Sequence, residues 1–142
     1  MKKLSITAVI FVISFLSYSQ DVKFKKDKVL VDKKEFLSFE KGGTFGAVNY
    51  DLLELNSNKR IIVLVQNDGG THMDVTDDYT QIKFLELGNK AEISGGDLRQ
   101  AIKLLLKNEV LKPDGTLDTS KIELFIKNYD EKITERTQLN RY

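Results

Sequence analysis

The stretch from Asn67 to Asp78 holds the chain's only histidine, His72, together with the carboxylates of Asp68, Asp74, Asp77 and Asp78. An imidazole and several carboxylates on one loop are a donor set for zinc, and the oxygens alone suit calcium. Asp68, His72, Asp74, Asp77 and Asp78 are therefore the candidate metal ligands. Their spacing matches no dedicated metal loop, and Asp, Asn and Gly also do ordinary turn chemistry between strands. Connections this long within a compact domain are commonly functional, which keeps the loop in view as a site.

A second oxygen-rich stretch is Asp114-Gly115-Thr116-Leu117-Asp118. It resembles the middle of an EF-hand calcium loop, with an acidic residue, a turn glycine, a carbonyl donor, an apolar anchor and another acidic residue. The resemblance covers five residues and then fails. Val110 and Lys112 stand where the first two oxygen ligands belong, and Lys121 stands in place of the bidentate glutamate. Pro113-Asp114-Gly115 reads better as a turn leading into a helix cap.

Other chemistry is poorly supplied. Gly42-Gly43-Thr44-Phe45-Gly46 and Gly95-Gly96 both lack the Lys-Ser/Thr ending of a phosphate-binding loop. With no cysteine in the chain, a nucleophile would be a serine paired with His72. Ser94 and Ser120 read as helix caps, Ser57 as a turn residue and Ser38 as part of a strand. Ser94 also lacks the first glycine of a nucleophile elbow. Paired carboxylates could in principle hydrolyse glycosides, but the chain has no tryptophan to form a sugar platform.

The elements that must position these residues start from Ile61 to Val65, five consecutive aliphatic residues between turn signals at Asn56-Ser57-Asn58 and Asn67-Asp68-Gly69-Gly70. A strand apolar at every position needs cover on both faces, so this is the expected central strand. Before it, Val29 to Val31 and Phe36 to Phe39 flank Asp32-Lys33-Lys34 as a hairpin without glycine. Gly42-Gly43 predicts the next reversal, and Thr44 to Leu55 a long strand with a bulge at Leu52-Leu53, where two adjacent leucines ask to face inward. Tyr79 to Leu87 completes an antiparallel meander of about five strands.

The period then changes. Leu98, Ala101, Ile102 and Leu105 recur at helical spacing behind Ser94-Gly95-Gly96-Asp97, read as a capping box. Ile122, Phe125, Ile126 and Tyr129 do the same behind a second box at Ser120 to Glu123. The expected fold class is α+β: the meander followed by two C-terminal amphipathic helices packed on one sheet face. The polar tail from Asp130 extends the second helix or frays.

At the other end, Lys2-Lys3, the apolar run Leu4 to Leu16 and the small residues of Ser17-Tyr18-Ser19 form a secretory signal peptide over residues 1–19. The apolar run is shorter than the roughly 18 to 20 residues that cross a bilayer. Without cysteine there is no lipid anchor, and the expected product is a secreted or periplasmic bacterial protein with one domain over residues 20–142. Loss of Lys2 and Lys3 leaves 20 basic against 21 acidic residues, a balance with no long-range field for nucleic acid or anionic lipid. The lysines at 23, 25, 26 and 28 read as a solvated, flexible start.

The function these residues point to is a non-catalytic module that binds a protein or envelope component, with no nucleic-acid partner and no stable membrane insertion after cleavage. It would bind through its sheet face or its 67–78 loop. The aromatics Phe36, Phe39, Phe45, Tyr50, Tyr79 and Phe84 are read mainly as core, any exposed remainder marking a binding surface. The alternatives are a calcium or zinc site on that loop and a small hydrolase built on His72 or paired carboxylates.

Overall fold

A computed structural model describes residues 20–68 and 77–139. Seven strands run in chain order across one antiparallel sheet: β1 (Val22–Lys25), β2 (Lys28–Val31), β3 (Lys34–Thr44), β4 (Ala47–Glu54), β5 (Arg60–Asn67), β6 (Tyr79–Phe84) and β7 (Asn89–Ser94). Helices α1 (Leu98–Lys107), α2 (Ile122–Tyr129) and α3 (Ile133–Leu139) follow, with a 3₁₀ turn at Thr119–Lys121 before α2. The class is α+β. The sheet has seven strands, not five, and the two additional ones have separate causes.

The first is β1, which pairs with β2 from Val22 opposite Val31 to Lys25 opposite Lys28. Its Lys-Phe-Lys alternation is a strand with one apolar and one solvated face, and not a flexible lead-in. Val22 is buried and Phe24 half-buried, while Lys23 and Lys25 are exposed. The second is β7, which takes Ser94 into the sheet opposite Tyr79. Ser94 is therefore no helix cap. Asp97 caps α1, its Oδ1 accepting the Arg99 N–H at 3.0 Å. Similarly, Asp118 and not Ser120 caps the turn before α2, accepting the Ser120 N–H.

The β2–β3 hairpin turns through Asp32 and Lys33, both left-handed at φ 50° and 69°. This is the primed turn that matches strand twist, made here without glycine. The next reversal comes three residues later than Gly42-Gly43 suggests. Those glycines remain in β3, and the chain turns at Phe45-Gly46 between the paired Thr44 and Ala47. Gly43 has φ 97°, and a Cβ there would stand 2.4 Å from the Ala47 carbonyl oxygen, so no other residue fits. The register of β4 on β5 slips between Leu52 and Leu53, the bulge that the adjacent leucines demand.

One face of the sheet is apolar. Leu52, Ile62 and Phe84 lie abreast across β4, β5 and β6, and Leu64, Ile82 and Ala91 across β5, β6 and β7. All six are buried in one cluster with Leu98, Ala101, Ile102 and Leu105 of α1 and Ile122 and Phe125 of α2. Helix α1 touches both β1 and β6.

The tail is not a continuation of α2. Its chain breaks at Asp130 to Lys132 and restarts as α3 against β7. Here the Glu92 N–H donates to Asp130 Oδ1, the Glu131 N–H to the Glu92 carbonyl, and the Ser94 N–H and hydroxyl to the Glu131 carboxylate. The Glu92 N–H and carbonyl and the Ser94 N–H on this edge are thus occupied.

Candidate functional site

Where α1 begins beside the β1–β2 hairpin, the apolar face holds an open groove of about 930 Å³. Its apolar wall is Phe24 on β1, Tyr50 on β4 and Leu98 on α1, and its rim carries Lys23, Lys25 and Arg99 facing Asp78 and Asp97. The sheet register explains this grouping. Phe24 stands opposite Val29 and Tyr50 opposite Leu64, both core residues, so the two rings share the face that carries the core while remaining only half-buried. Phe24, Phe39 and Tyr50 meet edge-on or tilted with ring centres 5.1 to 5.9 Å apart, spacings at which aromatic quadrupoles attract. Lys41 Nζ lies 5.7 Å from the Tyr50 ring centre.

The far wall is the β7–α1 connection, Gly95-Gly96. Buried Thr80 donates its hydroxyl to the Gly95 carbonyl at 2.8 Å, and Gln66 donates its amide to the Gly96 carbonyl. The Gly95 N–H in turn donates to the Asp78 carbonyl at 2.8 Å. These bonds from β5 and β6 hold the turn in place, and hence the start of α1. On the rim, Asp97 is engaged in capping and lies 3.3 Å from Arg99 Nε, while Lys23 lies 3.5 Å from Asp21. Such exposed pairs are weak and exchange readily for a ligand's charges.

The sequence-based ligand set divides. His72 and Asp74 lie outside the described residues. Asp68 and Asp78 line one small pocket of about 260 Å³ with Phe45, Gly46, Val48, Gln66 and Asn67. Asp77 is half-buried and adjoins Asp78. Among the described residues no three Asp, Glu or His side chains gather closely enough to hold a metal ion. Gln66 and Asp78 belong to both the small pocket and the large groove, so the root of the 67–78 loop borders the groove directly.

The Asp114 to Asp118 stretch is a turn. Leu111 bridges Leu117, and the Lys112 N–H donates to the Thr116 carbonyl at 2.8 Å. Asp114 accepts both the hydroxyl and the N–H of Thr116, and these bonds lower its pKa. Asp118 does the same with the hydroxyl and N–H of Ser120, again with a lowered pKa. Both carboxylates are spent on local backbone, as the turn-and-cap reading expects. Gly115 is fixed by φ 82° and by a position where a Cβ would lie 2.7 Å from the Phe36 carbonyl oxygen.

Of the groove's lining, Lys23, Phe24 and Lys25 are not legible as site residues while the lysine-rich start reads as flexible, and Arg99 falls on the polar face of a helix with no motif to single it out. The alternation Val22-Lys23-Phe24-Lys25 was the available signal. Among the described residues no helix is long and apolar enough to cross a membrane. Comparisons with protein-family models, with curated proteins and with solved structures found no match.

Proposed function

We infer that this is an exported, non-catalytic module that binds a protein or envelope component through the groove at the start of α1. In this reading α1 and α2 cover the apolar face of the sheet as a pair, which their share in the common core supports. The groove is then the part of that face left open. The observation that carries the reading is the groove's make-up: an aromatic and aliphatic wall of Phe24, Tyr50 and Leu98 set among the polar and charged Lys23, Lys25, Gln66, Asp78, Asp97 and Arg99. Apolar side chains beside convergent polar and charged groups are a usual combination in binding sites.

The test uses an amphipathic aromatic anion, anilinonaphthalene sulfonate, on the folded full chain. Saturable binding that weakens at least tenfold in Tyr50→Ser is the expected result. Binding unaffected by Tyr50→Ser and Leu98→Ser removes the reading.

A metal site on the 67–78 loop is the second reading, favoured by Asp68 and Asp78 lining one pocket. Asp68, His72, Asp74, Asp77 and Asp78 would supply the ligands, and calcium or zinc the ion. Ion at about a hundred times its dissociation constant adds roughly 2.7 kcal/mol, a rise of several degrees in thermal midpoint. A midpoint unchanged between chelator and excess ion ends this reading at physiological affinity.

A further inference from the structure

The long β3 outruns its neighbour. β2 begins at Lys28, opposite Ser38, and the β1–β2 turn reaches only as far as Asp27, whose carbonyl accepts the Phe39 N–H at 2.9 Å. From Glu40 to Thr44, β3 is paired on one side only, to β4. The two-residue turn after Thr44 makes Thr44 and Ala47 a mutually hydrogen-bonded pair, so Gly42 and Glu40 also turn their backbone groups toward β4. Alternation then points the N–H and carbonyl of Lys41 outward, in line with the Phe39 N–H that meets Asp27. Among the described residues no strand meets them.

Other edges of the sheet are guarded. The β7 edge is occupied at Glu92 and Ser94 by Asp130 and Glu131. The β1 edge is four residues long, flanked by Lys23 and Lys25, and its Val22 is buried. The β3 overhang has no comparable guard. Residues Glu40 to Phe45 are all exposed, Gly42 and Gly43 have no side chains, and Phe45 is 88 % exposed at the tip. Lys41 lays its side chain over Tyr50 on the face of the sheet, leaving its outward backbone groups uncovered.

We propose that the β3 overhang at Lys41 is a strand-addition site, and that the partner of the groove is an extended, acidic segment of another polypeptide. This rests on the groove reading and names its occupant. Only an extended backbone can meet the outward Lys41 N–H and carbonyl, because ladder bonds need alternating donors and acceptors. An added strand continues the line of β2 beyond Asp27, and its residues on the Lys41 side lie over the Phe24, Phe39 and Tyr50 cluster. Acidic character follows from its surroundings: Lys41 beside it and Lys25 and Lys26 at the hairpin tip are cations, Asp27 there is paired with Lys28, and Glu40, one position from Lys41 and hence on the opposite face, is paired with Arg60. A second copy pairing symmetrically about Lys41 would set lysine against lysine, which disfavours that register.

The test selects a random twelve-residue peptide display library on the full chain and measures enriched peptides by calorimetry. Carboxylate-bearing peptides should bind wild type and Lys41→Arg alike and lose at least tenfold with Lys41→Pro. Proline removes the outward N–H while leaving the β3–β4 bonds in place. Bound peptide should also slow hydrogen exchange of the Lys41 amide in wild type, a readout that stands if Lys41→Pro does not fold. No enrichment, equal affinity for a folded Lys41→Pro, or an unprotected Lys41 amide overturns the proposal. Loss with Tyr50→Ser but not with Lys41→Pro overturns strand addition and leaves the groove reading standing; loss with neither removes both. A wild-type dimer made monomeric by Lys41→Pro makes a second copy the occupant and overturns the acidic partner.

Discussion

Glu92 shows how single residues set this fold. Its side chain is buried on β7, a costly place for a carboxylate. Burial pushes its pKa up, but hydrogen bonds from the Thr134 hydroxyl, the Gln81 amide and the Thr134 N–H, with Lys90 nearby, outweigh this and hold it below the usual range. Asp130 and Glu131 lie on the same edge, accepting from the Glu92 and Ser94 N–H groups. Because the folded pKa is depressed, Glu92 contributes stability above its unfolded value near 4.5. That contribution fades as pH falls through the lower folded value. The protection factor of the Thr134 amide, its exchange corrected for the intrinsic rate at each pH, should fall over that acidic window in wild type and should not change there in Glu92→Gln. Glu92→Ala leaves its former donors searching for partners and should cost about 1–3 kcal/mol in urea unfolding.

At the scale of elements, turns and caps decide where strands and helices begin. Asp32 and Lys33 both accept left-handed backbone. Lys33→Gly relieves that strain and should stabilise by about 0.5–1 kcal/mol in denaturant titration. Asp97→Ala removes the cap of α1 and should cost about 1 kcal/mol by the same measurement.

Much at this scale was legible in the sequence. The glycine-free hairpin at Asp32-Lys33, the bulge at Leu52-Leu53 and the periodicity of both amphipathic helices follow from local pattern. What escaped depended on choices between two local meanings. Lys23 and Lys25 suit a solvated arm as well as an edge strand, and only pairing with β2 settles the matter. Ser94 suits a cap as well as a strand end, and Asp97 three residues on takes the cap. Gly42-Gly43 reads as a turn because glycine permits one, whereas at Gly43 the need arises from close approach to the Ala47 carbonyl. The groove was less legible than the fold, since it joins residues from β1, β4, β5 and α1 that no short motif links.

The whole molecule is one antiparallel sheet whose buried residues share a single core with those of its helices. Ile102 and Leu105 are fully buried on α1. Ile102→Ala should cost about 2–5 kcal/mol in equilibrium unfolding, because removing its bulk leaves a cavity beneath the helix. It should also loosen the groove, whose Leu98 wall stands on the same helix. Tyr50 links the groove to the β3 overhang, lining the one and lying under Lys41 of the other.

The measurement that bears most directly on this account is a map of backbone amide shifts in the full chain on titration with anilinonaphthalene sulfonate. The account predicts saturable changes clustered at Phe24, Lys25, Tyr50, Gln66 and Gly96 to Arg99. Changes absent from this cluster, or spread without saturation over the exposed surface, would contradict it.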